Sequence, residues 1–268
     1  MTWLYELLAQ LNWVYVLSGL GVGFIVGMTG VGGGSLMTPI LLLFHISPAT
    51  AVGTDLLYAA ITKSGGVAVH QKNKNIDWGI TGWLALGSVP AAALTVVFLH
   101  LWQGDIATVN KVIKSTLGFA LLLTAVAIVC KSRLLAFAQQ HASDWLDLPP
   151  TKLNIMTVLV GVMLGVIVTL SSIGAGALGT VALFLLYPRM PTSRLVGTEI
   201  AHAVPLTLVA GLGHAGLGNL DWHLLGNLLV GSLPGIYFGS HLTGRVPDGV
   251  LRPLLAAMLV IIGLKLVL

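Results

Sequence analysis

"GMTGVGGGS" runs from Gly27 to Ser35, and "SSIGAGALG" from Ser171 to Gly179; both lie inside long apolar stretches. Glycine is among the poorest helix formers. A chain that places such runs twice inside apolar segments is marking two turns or two close contacts, and the choice decides the fold.

The surroundings fix the class. Of 268 residues, 56% are hydrophobic and only 8% are charged, against about 25% charged in a soluble domain. The mean hydropathy is strongly positive. So few charges cannot coat a water-exposed surface, and the chain reads as an all-α polytopic membrane protein. The net charge of +4 then reflects basic cytoplasmic loops rather than nucleic-acid binding. The single cysteine, Cys130, excludes an intrachain disulfide and a cysteine-based metal cluster. "MTWLYELLAQ" at the start lacks the basic region and cleavage site of a signal peptide.

Apolar runs cover roughly 12–44, 48–69, 79–100, 109–130, 153–187, 192–213, 222–242 and 249–268. Six are near the ~20 residues that span a bilayer. The first and fifth, which carry the glycines, are about half as long again. The halves repeat. "VGTDL" (52–56) matches "VGTEI" (196–200) at an offset of 144. The same offset pairs His70 with His214, "NIDW" (75–78) with "NLDW" (219–222), and "GSVP" (87–90) with "GSLP" (231–234). With a two-residue shift, "VGGGSL" (31–36) falls on "IGAGAL" (173–178). The expected division is a first membrane repeat over 1–130, a cytoplasmic connector over 131–152 and a second membrane repeat over 153–268.

Basic residues orient the segments. Lys72 and Lys74 lie between segments 2 and 3, and Lys131, Arg133 and Lys152 between 4 and 5. Arg189 and Arg194 lie between 5 and 6, and Arg245 between 7 and 8. Eight simple crossings cannot put all of these on one side. If segments 1 and 5 dip in and return, every basic connection is cytoplasmic and the two halves face opposite ways. The expectation is therefore about eight segments in two inverted repeats, with segments 1 and 5 broken or re-entrant hairpins turned at glycine. A long tilted helix with close-packing glycines is the alternative.

Free N–H groups at the start of a half-helix bind anions, and inverted-repeat transporters meet their substrates in this way. Gly32, Gly33, Gly34 and Ser35 would open the returning arm of segment 1, and Gly174, Ala175 and Gly176 that of segment 5. Thr29, Ser35, Ser171 and Ser172 add hydroxyls. No lysine follows the first run as in a nucleotide-binding loop.

Asp55, Lys63 and Glu199 are ionisable residues inside apolar helices, where charge is costly and marks function. Asp55 lies eight residues past the cap at Ser47, about 12 Å deep, and Glu199 lies about 10 Å from the opposite face. Each acid has a polar neighbour three residues on, Tyr58 and His202. Lys63 has two readings, counter-charge to a substrate or a side chain snorkelling to the cytoplasmic side. Carboxylates repel an anion, so at least one acid should be neutral during transport, which points to proton coupling through Asp55, Glu199 and His202.

"GMTGVGGGSLMTPIL", "AVGTDLLYAAITKSGGVAVHQKNKNIDW", the second copy "VGTEIAHAVPLTLVAGLGHAGLGNLDW" and the "GSLPG" after it resemble the TauE/SafE sulfite-exporter family over almost the whole chain. The resemblance implies a polytopic protein of the bacterial inner membrane that transports sulfite or related sulfur-containing anions, including organosulfonates. The second copy departs from the first: "IGAGA" has fewer glycines than "VGGGS", and Thr207 stands where the first half has Lys63. Any site is therefore asymmetric. The reading is a secondary transporter of sulfite, thiosulfate or an organosulfonate, exporting rather than importing, with no enzyme activity, cofactor or metal site. Its partners are the anion and the lipid bilayer, not nucleic acid. The rival is a cation or metal-ion transporter that uses the carboxylates and His202.

Overall fold

The computed structural model describes residues 11–29, 34–102, 106–140, 149–241 and 248–268. Among them the chain is all helical, without strands. In order the helices are α1 (Trp13–Thr29), α2 (Gly34–Leu43), α3 (Pro48–Lys72), α4 (Trp78–Leu101), α5 (Ile106–Gln140), α6 (Pro150–Ser171), α7 (Ala177–Leu186), α8 (Thr192–Gly216), α9 (Trp222–His241) and α10 (Asp248–Val267). Helices α4, α6 and α8, and residues 111–130 within α5, are long and apolar enough to cross a membrane.

The helix starts follow local chemistry. Ser47 caps α3: its hydroxyl accepts the Thr50 amide at 3.2 Å, with Pro48 in the first turn. Asp77 caps α4, its Oδ1 accepting the amides of Gly79 (3.1 Å) and Ile80 (3.2 Å). The fifth segment is broken as expected, between α6 and α7; the expected break in the first, at residues 30–33, lies outside the described residues. Helix α5 continues to Gln140 and α6 opens at Pro150, so residues 131–140 and 150–152 of the expected connector are helical.

Helices α3 and α8, which carry the repeated "VGT" motifs, lie at the centre. Ala51, Val52, Thr54 and Asp55 of α3, and Thr198, Ala203 and His202 of α8, are fully buried. The other helices turn large apolar side chains outward, among them Leu17, Leu94 and Leu159, as a lipid-facing surface requires. The main pairings are α1 with α9, α4 with α6, α3 with α8 and α5 with α10. Exchanging the halves turns the first pairing into the second and maps each of the last two onto itself.

The close approaches give the directions. Gly53 faces His214 and the Asn219 carbonyl, Gly211 faces Leu57, Gly66 faces Ile200, and Gly197 faces His70 and the Asn75 carbonyl. The contact moves down α8 as it moves up α3, so the two helices are antiparallel. In the α1–α9 pair Gly19 meets Leu228 and Gly23 meets Ser232; in the α4–α6 pair Gly161 meets Leu84 and Gly165 meets Ser88. Both of these pairs are parallel. At each of these glycines except Gly66 a Cβ would strike neighbouring backbone, so only glycine lets the helices come this near. These contacts correspond across the repeat. So do two hydrogen bonds between the halves: the Asp77 amide donates to Thr198 Oγ1 (2.9 Å), and the Asp221 amide to Thr54 Oγ1 (3.2 Å).

Candidate functional site at the broken fifth segment

Helix α6 ends because the backbone turns left-handed. Ser172 has φ 56° and its amide bonds to the Val168 carbonyl at 2.7 Å. The Ser171 hydroxyl accepts the Ile173 amide at 3.2 Å. Gly174 has φ 114°, a conformation that glycine alone adopts without strain. Its carbonyl receives the amides of Gly176 (2.8 Å) and Gly179 (2.9 Å), and the Thr180 amide goes to the Gly176 carbonyl (3.0 Å). The amides of Ala177 and Leu178 then open α7, where the helix itself offers no acceptor. Residues 171–176 are all buried.

Three helices bring polar side chains to this turn. Asp55 of α3 is fully buried. Its Oδ2 accepts the Thr38 hydroxyl from α2, and Ser172 lies against the same carboxyl. One acid thus touches both α2 and the turn that opens α7. Its Oδ1 and the Ser172 hydroxyl are buried without a partner. Lys63, two turns further along α3, is also buried and donates from Nζ to the Ala175 carbonyl. Of its two readings the side chain takes the inward one. Its charge acts on both Glu199 and Asp55, although no carboxylate oxygen comes within ion-pair distance. Glu199 of α8 packs on Gly179 in the first turn of α7, and its Oε1 is buried and unpartnered. Two carboxyls and one ammonium leave one negative charge in excess when both acids are ionised.

Neither acid hydrogen-bonds the polar residue three places on. His202 Nε2 pairs instead with Ser88 Oγ on α4 at 2.8 Å. Tyr58 lies beside Ser232 on α9 without closing a hydrogen bond. In each case a neighbouring helix draws the side chain away from the acid on its own helix. Among the symmetric histidines, His214 Nε2 meets the Thr169 carbonyl at 2.9 Å and His70 is half-buried. Of the residues expected in the first glycine run, Gly32 and Gly33 lie outside the described residues. Thr29 ends α1, and Gly34 and Ser35 open α2; their side chains lie outside the description. Among the described residues no group of three or more His, Cys, Asp or Glu is placed to hold a metal ion. A cavity of about 370 Å³ near the α7–α8 connection, lined by Tyr187, Arg189 and Arg194 among others, includes none of these buried groups.

The model of the family described as sulfite exporter TauE/SafE matches residues 15–266. The chain belongs to this family. It is 42% identical over 252 residues to the probable membrane transporter protein YjnA of Bacillus subtilis, covering 94% of this chain and 98% of that one. It is 29% identical over 250 residues to the probable membrane transporter protein YdhB of the same organism, covering 91% and 96%. A probable membrane transporter protein of Methanocaldococcus jannaschii is 27% identical over 271 residues, covering 92% and 93%. No solved structure matches the chain. As a TauE/SafE member the chain is a multi-pass membrane protein of a transporter family.

Sequence reasoning missed Thr38 and Ser88, although both carried a signal. Thr38 has Thr180 as its counterpart in the two-residue-shifted register of the glycine runs, and Ser88 belongs to the repeated "GS-P" motif.

Proposed function

We propose that this TauE/SafE protein is a secondary exporter of a small sulfur-containing anion (sulfite, thiosulfate or an organosulfonate), coupled to protons and located in the bacterial inner membrane. The observation that carries the reading is Lys63. A buried ammonium with a single carbonyl partner, set beside the opening amides of α7, offers an oxyanion charge and oriented donors together. The hydroxyls of Thr38 and Ser172 lie against Asp55, on the same helix as Lys63. The two acids supply the means of coupling: with one of them protonated, an anion can enter without facing two carboxylates.

The proposed architecture is two inverted repeats with segments 1 and 5 re-entrant. If every segment crossed once, segments 2 and 6 would run parallel, because four crossings separate them. The antiparallel packing of α3 on α8 supports the re-entrant arrangement instead. So does the α5–α10 pair, segments 4 and 8, where Gly118 meets Gly263 and Val267 while Gly263 meets Leu122. Asp55, Lys63, Glu199 and His202 are all buried, so entry of substrate requires the halves to shift against each other. The membrane potential, worth about 2.3 kcal/mol per charge at 100 mV, can expel an anion without a pump domain.

The excess negative charge is the one feature that favours a cation as substrate, and a single experiment separates the two. Purified protein in proteoliposomes is assayed for flux of sulfite, thiosulfate, organosulfonates and divalent cations, with and without a pH gradient. Anion flux that responds to the gradient is the expected result. Flux of divalent cations alone would overturn the proposal.

A further inference from the structure

We propose that Glu199 is a tethered stand-in for the transported anion: carboxylate and anion occupy the first turn of α7 alternately, and one proton on Glu199 decides which is seated. This rests on the anion reading above and adds which acid carries the proton and why.

The seat is built for a carboxylate. A Cβ at Gly179 would lie 3.0 Å from Glu199 Cγ and 3.1 Å from Oε1, so the glycine keeps the space that the acid fills. The corresponding residue of the first half is Met37, fully buried, and the corresponding acid is the shorter Asp55. The second half thus has the longer acid, and a glycine at the position where the first half has a buried methionine. Glu199 Oε1 is 2% exposed as part of its residue, has no hydrogen-bond partner, and faces the turn. Asp55, by contrast, holds the Thr38 hydroxyl. Glu199 therefore gives up less when it leaves. The Lys63 ammonium rests on Ala175, two residues before α7, and its charge acts on Glu199. Helix N-terminus and ammonium favour any negative group placed there, and a carboxylate on a side chain and an oxyanion in solution make the same demand on them.

The groups around Glu199 are few. Helix α3 presents Lys63; its Asp55 faces Thr38 and Ser172, its Tyr58 faces Ser232 and its His70 faces Gly197. Helix α8 adds His202, turned to Ser88. Helix α7 has no ionisable residue, α4 has only His100 in its last turn, and α6 only Lys152 in its first. In the exchange, water on the side of entry gives a proton to a Glu199 oxygen and the neutral acid yields the turn to the anion. On release of the anion the O–H returns its proton to water and the carboxylate reseats. One proton travels with each anion, so a dianion such as thiosulfate still leaves with one net negative charge for the membrane potential to expel.

The test measures thiosulfate binding to the purified full chain by calorimetry between about pH 6 and about pH 8, a range in which thiosulfate stays a dianion. Wild-type affinity should fall with rising pH by up to about tenfold per unit, the slope for one proton linked to one anion. Glu199→Gln should bind at about pH 8 as tightly as wild type does at low pH, with no slope. Glu199→Asp, which keeps the charge on a shorter stem, should bind more tightly than wild type at about pH 8 with a shallower slope. A flat wild-type profile, a slope that persists in Glu199→Gln, or Glu199→Asp behaving as wild type would overturn the inference while leaving the anion reading in place. Absence of binding of thiosulfate, sulfite and an organosulfonate alike, in all three proteins at every pH, would overturn both.

Discussion

Where the first half sets Asp55 against Thr38, the second sets Glu199 against Gly179. Asp55 is held by a hydroxyl from the facing arm, whereas Glu199 packs on a bare glycine and keeps an unpartnered oxygen. The helix-packing glycines differ much less: Gly19 with Gly161, Gly87 with Gly231, and Gly53 with Gly197 make corresponding contacts in both halves. The two halves share the contacts that set the distance between backbones and differ in those around the buried acids. A symmetric scaffold thus carries an asymmetric site, with Lys63 on one side and Thr207 on the other.

The largest expected effect tests the shared part. Gly87→Leu and Gly231→Leu each force a side chain into the backbone of the partner helix, and each should cost about 3 kcal/mol, the upper end of the overpacking range. Thermal or denaturant unfolding in detergent would measure it. A large loss in one and none in the other would break the claim of a common scaffold. Next comes the asymmetric part. Lys63→Met should lower anion flux by about 100-fold, roughly 2.7 kcal/mol of transition-state stabilisation, and adding Thr207→Lys should not restore it. Rescue from the second half would show that the two positions are interchangeable. Ser88→Ala removes the partner of His202 and should cost about 1–1.5 kcal/mol, while Ser232→Ala, which removes a hydroxyl without a partner, should cost less than about 0.5 kcal/mol. A comparably small effect belongs to the Arg194–Asp77 ion pair (3.0 Å), which is partly exposed and has no counterpart at Thr50. Arg194→Ala should destabilise by less than about 1 kcal/mol, and less still in high salt.

Much of this arrangement was legible in the sequence. Apolar run lengths placed the helices to within a few residues, apart from the extension of α5, because helix length in a bilayer is set by its thickness. The glycine run at 171–179 marked the break between α6 and α7, since Gly174 needs a positive φ. The depth of Asp55 and Glu199 followed from their distance along α3 and α8 from the capped ends. The facing partners were not legible. That Tyr58 and His202 turn to α9 and α4 rather than to their own acids depends on which helices lie alongside. The exchange of Met37 for Gly179 against Asp55 for Glu199 is a matching of volumes, visible only once the helices are packed.

The opposite orientation of the halves is the claim on which the site depends, and single-cysteine labelling tests it directly. In a Cys130→Ser background, Lys74→Cys reports the connection between segments 2 and 3, and Asn219→Cys that between segments 6 and 7. A membrane-impermeant thiol reagent should label the first only from the cytoplasmic side and the second only from the opposite side. Labelling of both from the same side would mean that the halves run the same way, and the meeting of α2 and the α6–α7 turn at Asp55 would be wrong.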